Sequence, residues 1–182
     1  KQIVAIPTET VYGLAGRADC DKVIKNIYNI KQRPFDNPLI IHFKNIEDAL
    51  KAIVFDERTE VIANKFWPGP LTIVAKRKDN KVSKLATAHL DTIAVRVPFH
   101  PNARKLLDML DFPLAAPSAN VYGKISPTCA ADVVEELGGK ISTILDGGGA
   151  TIGLESTVID VTEKDTKILR YGSVSKTKLK NL

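Results

Sequence analysis

Ile3-Val4-Ala5-Ile6-Pro7-Thr8-Glu9-Thr10-Val11-Tyr12-Gly13-Leu14 is the stretch that decides how this chain is read. Ile3 to Ile6 form a short apolar run with the make-up of a buried strand. Pro7 has no N–H to give to a sheet ladder and ends it. Two threonines, a carboxylate and a tyrosine follow, and Gly13 loosens the backbone. A strand that stops at small hydroxyls is how α/β folds present polar groups to a ligand. The plainer reading is a strand end and a polar turn. It loses ground because comparable segments, rich in hydroxyls and punctuated by proline or glycine, recur at four later places.

Working outward, Val23, Ile24, Ile27, Tyr28 and Lys31 follow helical spacing and predict a helix over 20–32, with Asp19 or Asp21 able to cap it and Pro34 to close it. Further helices are expected at 46–54, 57–66, from His100-Pro101 to about 110, and at 130–137, where Thr128 is the expected N-cap and Gly138-Gly139 the stop. Strands are expected at 39–43, 71–75, 92–97, 113–116, 144–145, 157–161 and 167–169, with the end of the chain tail-like. Strands and helices intersperse without strict βαβ alternation. The expected fold class is therefore α/β (α+β), one domain with an open, twisted, mixed sheet and flanking helices. No Gly-x-Gly-x-x-Gly follows the first strand and no P-loop lysine motif is present, so any nucleotide is held by other means.

The composition is that of an ordinary globular domain, with 44% hydrophobic and 26% charged residues. No apolar stretch approaches the ~20 residues of a membrane helix. No signal peptide is visible, although the chain opens almost directly on a strand and a leading segment is expected to be missing. Cys20 and Cys129 have no partner at metal-ligand spacing and read as reduced thiols, which fits a cytoplasmic protein. A net charge of +5 favours polyanions: nucleotides, RNA or acidic surfaces. Part of the excess sits at Lys176, Lys178 and Lys180, which read as a solvated tail.

Five constellations carry chemistry. Lys31-Gln32-Arg33-Pro34, with Asp36-Asn37-Pro38 behind it, reads as dipole compensation at a helix end or as a preorganised phosphate clamp. His42 follows closely and can hydrogen-bond a substrate hydroxyl or carboxylate. Thr92, Ala94 and Arg96 share one face of a strand, where the arginine needs a buried salt bridge or a ligand carboxylate; the neighbouring Thr92 favours the ligand. Ala115 to Asn120, Tyr122-Gly123 and Ser126-Pro127-Thr128 combine small residues and hydroxyls suited to phosphate and ribose oxygens, with a helix start at Thr128. Gly147 to Gly149 read as a flexible wall, followed by Glu155, Ser156 and Thr157; Arg170 is a further phosphate candidate. No Ser/His/Asp arrangement, thiol–imidazole pair or multi-histidine metal site is evident, so no protein metal ligand is assigned. Many neutral donors, several cations and few acids suit holding ATP beside a small carboxylate and letting position drive nucleotidyl transfer.

PTETVYGL (7–14), KQRP with DNPLIIH (31–42), WPGPLT (67–72), TIAVRVP (92–98), APSAN (116–120) with SPT (126–128), and ESTVID (155–160) together resemble the YrdC/Sua5 family of L-threonylcarbamoyladenylate synthases, in the family's order. The resemblance implies a YrdC-like domain over 1–172, with 173–182 a tail or the start of a linker. It implies a deep cationic cavity and a reaction in which L-threonine, bicarbonate and ATP with Mg²⁺ give threonylcarbamoyl-AMP and pyrophosphate. A separate threonylcarbamoyl transferase complex then acts on adenosine 37 of tRNA, and direct tRNA contact is a further possibility. By position, Thr8 or Thr10, His42, Arg96, Ala116 (through its backbone) and Ser156 resemble the threonine-binding set. Lys31, Arg33, Asn37, Thr92, Ser118, Ser126 and Arg170 resemble the ATP-binding set, with Asn120 alongside and Lys31 and Arg33 the implied catalytic pair. Tyr171 stands where the family commonly has proline. Two rivals remain: an RNA-binding module of the same fold, and a carbamoyl-transfer domain of the hydrogenase-maturation type.

Overall fold

A computed structural model describes residues 3–78 and 81–180. Eight strands make one mixed sheet in the order β1-β2-β6-β3-β5-β4-β7-β8. They are β1 (Val4–Ile6), β2 (Gly13–Arg17), β3 (Ile40–His42), β4 (Leu71–Lys76), β5 (Thr92–Arg96), β6 (Leu114–Ala115), β7 (Thr157–Asp160) and β8 (Lys167–Arg170). β3–β5 and β4–β7 are parallel; the other pairs are antiparallel. The mixed sheet in one domain is the architecture the interspersed elements predict.

Helix α1 (Asp21–Lys31) buries Val23, Ile24, Ile27, Tyr28 and Lys31, so its apolar stripe ends in a lysine. Gln32 then takes a left-handed conformation (φ 52°), and the N–H groups of Gln32 and Arg33 close onto the carbonyls of Asn29 and Tyr28. This reversal starts the loop that carries Arg33. Helices α2 (Ile46–Lys51) and α3 (Glu57–Phe66) are capped by Asn45 and Asp56, whose side chains accept the N–H of Asp48 and Thr59. On α4 (Pro101–Asp108), Leu107 packs with Ile6, Ala15, Leu114 and Ala116 in a small second core. The main core runs from Ile3 to Val174 and is built largely from α1, α3 and the central strands. No helix among the described residues is long and apolar enough to cross a membrane.

The structure departs from the sequence reading at five places. Gly13–Arg17 is a strand, β2, paired with Val4–Ile6. Its glycines hide the signal, and Gly16 serves packing: a Cβ there would lie 2.4 Å from Val23 Cγ1. Ile144-Leu145 makes only an isolated bridge to Ala5. Helix α5 (Ala130–Leu137) is capped by Cys129, not Thr128. The Asp132 carboxylate accepts the N–H groups of Thr128 (2.8 Å) and Cys129 (3.1 Å), so this helix start carries its own carboxylate, and Thr128 lies outside the cavity lining described below. The segment after 172 is not tail-like. Val174 enters the core, its N–H and C=O are both clasped by Thr157 Oγ1 at 3.0 Å, and α6 (Lys176–Lys180) follows. Both cysteines are free but half-buried.

Candidate active site

A cavity of about 320 Å³ lies over β3, β5 and β6. Ile40 and His42, two apart on β3, share its face, and Ala116 just after β6 closes one side. The parallel register sets His42 opposite Arg96. Of the fourteen residues singled out from sequence, twelve line this one cavity. Thr8 and Thr92 do not. Thr8 lies behind Thr10, its hydroxyl 2.8 Å from Thr10 Oγ1 and donating to the Val11 carbonyl at 2.6 Å. Thr92 begins β5 opposite Lys76, four residues before Arg96, outside the lining.

Each cation is fixed by a different element. Lys31, delivered by the stripe of α1, donates through Nζ to the carbonyls of Ser118 (2.5 Å) and Asn120 (2.7 Å). Burial, and then the neighbouring Arg33, bring its pKa down to about 8. Arg33 reaches back to its own loop, donating to Asn37 O (3.0 Å), Asn37 Oδ1 (2.5 Å) and Pro38 O (2.9 Å). Arg170 donates to Ser156 O and Ser156 Oγ at 3.0 Å and pairs with Glu155. Ser126 Oγ donates to the other Glu155 oxygen at 2.8 Å.

Arg96 forms a salt bridge with Glu9 at 2.6 Å, and both side chains are 5% exposed. The buried salt bridge and the ligand-facing position, alternatives in the sequence, occur together. His42 is wholly enclosed; burial and then the Arg96 charge lower its pKa to about 3, so it is neutral at physiological pH. His42 Nδ1 and Asn120 Oδ1 are buried and have no hydrogen-bond partner. Each such orphan costs roughly 1–3 kcal/mol, which a ligand can recover. Ser156 Oγ also lies 2.8 Å from Thr72 Oγ1.

Sequence reasoning named Glu155 within a constellation but gave it no role, and it missed Lys124 in the lining and Glu9 as the partner behind it. The demand for a partner to a buried strand arginine was the available signal for Glu9. Gly147 to Gly149, expected as a wall, are outside the lining. The buried Tyr12 pins that loop, its hydroxyl donating to Gly148 O (2.7 Å) and accepting from Gly147 N–H (3.1 Å).

The lining carries five cations (Lys31, Arg33, Arg96, Lys124 and Arg170) against one carboxylate, Glu155. With a neutral imidazole and several hydroxyls, this defines a class: an α/β domain suited to seating a polyanion beside a small carboxylate. The comparisons place the chain within that class. It belongs to the Sua5/YciO/YrdC family, described as telomere recombination, whose model matches residues 1–172. The chain is 49% identical over 176 residues to the threonylcarbamoyl-AMP synthase of Pyrococcus abyssi, covering 95% of this chain and 51% of that one. It is 43% identical over 178 residues to the Bacillus subtilis enzyme of that name, covering 96% and 51%. A crystal structure of P. abyssi Sua5 complexed with L-threonine aligns with a TM-score of 0.95 at 46% identity, over 99% of this chain and 53% of that one. The chain thus spans about half the length of these relatives.

Proposed function

We propose that this domain forms threonylcarbamoyl-AMP and pyrophosphate from L-threonine, bicarbonate and ATP. One observation carries the reading. A single cavity joins an arginine–imidazole pair, Arg96 and His42, to a group of cations, Lys31, Arg33 and Arg170, in a chain that superposes on a threonine-bound relative. Arg96 suits the carboxylate of the amino acid, flanked by Thr10, Ser156 and the Ala116 backbone. Neutral His42 offers a hydrogen bond without adding charge. Lys31, Arg33 and Arg170 suit the phosphates, with Asn37, Ser118 and Ser126 beside them. Thr92 has no place in this set.

The chemistry follows from position. The threonine amine captures CO₂ from bicarbonate to give a carbamate. A carbamate oxygen then forms a bond to the α-phosphorus as the bond to the β-phosphate oxygen breaks, and pyrophosphate leaves. Cations fixed in advance stabilise the charge that develops on the leaving group. Among the described residues no cluster of three His, Cys, Asp or Glu side chains could hold a metal. Glu155 is already paired. Mg²⁺ would enter with ATP and neutralise part of the phosphate charge, with Glu155 the carboxylate that the lining offers beside it. The product is destined for a threonylcarbamoyl transferase complex acting on tRNA, which carries a cytoplasmic setting with it.

Pyrophosphate release from MgATP tests the reading. Release that requires both L-threonine and bicarbonate, and is weak with serine, is the expected result. ATP binding with no release under any combination would overturn it.

A further inference from the structure

Arg96 is buried, yet it faces a cavity meant for a ligand. A buried guanidinium needs a counter-charge, and a useful one needs a fixed plane. Glu9 supplies both. Its Oε1 accepts from Arg96 Nη2 at 2.6 Å, and its Oε2 accepts the Phe99 N–H at 3.0 Å. The carboxylate is thus held at both oxygens. The Glu9 carbonyl accepts the Ile152 N–H at 2.8 Å, which ties the segment before Glu155 to the same residue. Arg96 is completed by Nε donating to Gly69 O (3.2 Å) and Nη1 to Thr10 Oγ1 (3.0 Å). Among the described residues, three of its five N–H donors are engaged, leaving one on each terminal nitrogen. Glu9 itself does not line the cavity.

We infer that Glu9 is a positioning residue: it fixes the plane of Arg96 so that one N–H on each terminal nitrogen is presented to the carboxylate of the amino-acid substrate. The inference rests on the threonine reading of this end of the cavity. Glutamine cannot replace Glu9 here. Its amide has one acceptor oxygen, whereas Arg96 and Phe99 present two donors. Aspartate keeps the charge but is one methylene short of holding both.

The experiment pairs Glu9→Gln and Glu9→Asp with wild type in two readouts. The first is the Arg96 Nε–H resonance, assigned by its loss in Arg96→Lys. It should be protected in wild type and broadened by exchange in Glu9→Gln. The second is calorimetric affinity. L-Threonine should bind at least about tenfold more weakly to Glu9→Gln, with ATP within about twofold of wild type and Glu9→Asp between the two for threonine. If Glu9→Gln does not fold, Glu9→Asp carries both readouts. An unchanged Nε–H signal, or equal loss of threonine and ATP, overturns the inference. A wild-type protein that binds no threonine overturns the ligand reading instead, while the resonance still decides whether Glu9 holds Arg96.

Discussion

Raising the pH from 7 to 9 should weaken ATP binding about tenfold through one side chain. Lys31 is buried, and burial followed by the Arg33 charge brings its pKa from the ordinary 10.5 to about 8. Its ammonium gives two hydrogen bonds to carbonyls, which leaves a third donor for a phosphate. Bound polyphosphate favours the charged form and returns the pKa toward 10.5 or above. Free Lys31 is then about 90% charged at pH 7 and about 10% at pH 9, so binding takes up about 0.1 and 0.9 proton respectively. Titration calorimetry at pH 9 in two buffers of different ionisation heat reads the uptake directly. Lys31→Met should abolish it and flatten the pH dependence of the remaining affinity. No uptake at pH 9, or an unchanged pH dependence in Lys31→Met, would refute the argument. Stability gives an independent check on the sign. Between about pH 8 and 10.5 the unfolded chain holds a proton that the folded chain has released, so stability rises with pH there, by up to about 3 kcal/mol.

Arg96→Ala should lose threonine affinity far more than ATP affinity, and should destabilise the fold by about 3–5 kcal/mol because Glu9 is left buried and unpaired; equal loss of both ligands in calorimetry contradicts the assignment. His42 should stay neutral to pH 5 in ¹⁵N spectra, since burial and Arg96 bring its pKa to about 3. The unfolded chain protonates first, so the contribution of His42 to stability falls as pH drops below about 6.5; titration near that pH in the folded protein would show an open site. Gly172→Ala places a Cβ 2.4 Å from Glu155 O and Thr157 N, both backbone atoms. It should cost about 2–3 kcal/mol in urea unfolding and displace Ser156; wild-type stability would mean that the segment yields.

What the sequence made legible follows its periodicity. α3 and α5 match their expected bounds because apolar spacing and a glycine or proline stop agree. The hydroxyl-rich segments converge on one cavity, as their recurrence predicts. β2 is hidden because the glycines at 13 and 16 leave no strand pattern, and the packing of Val23 and Ile27 against the strand explains Gly16. Thr92 illustrates a different failure. Sharing a face with Arg96 places it in the right row of the sheet, but position along the strand decides whether it reaches the lining. Glu9 is the converse case. It lies beside the hydroxyls in sequence, yet its partner is 87 residues away. Pairing across such a separation leaves no local pattern.

The choice of acceptors explains how the cavity stays positive while its cations stay ordered. Lys31 rests on two backbone carbonyls, and Arg33 on two carbonyls and an amide oxygen. Neutral acceptors fix the geometry of a cation without cancelling its charge. Carboxylates serve two other positions. Glu9 sits behind Arg96 and outside the lining, where it orients the guanidinium from the back. Glu155 pairs with Arg170 at a half-exposed place, with side chains 32% and 38% exposed, where solvent weakens the attachment. On the proposed reading, a polyphosphate entering the cavity meets Lys31 and Arg33 bonded only to neutral acceptors and competes with a carboxylate at Arg170. On that reading the asymmetry favours phosphate at the α1 end, away from the end where Glu9 holds Arg96.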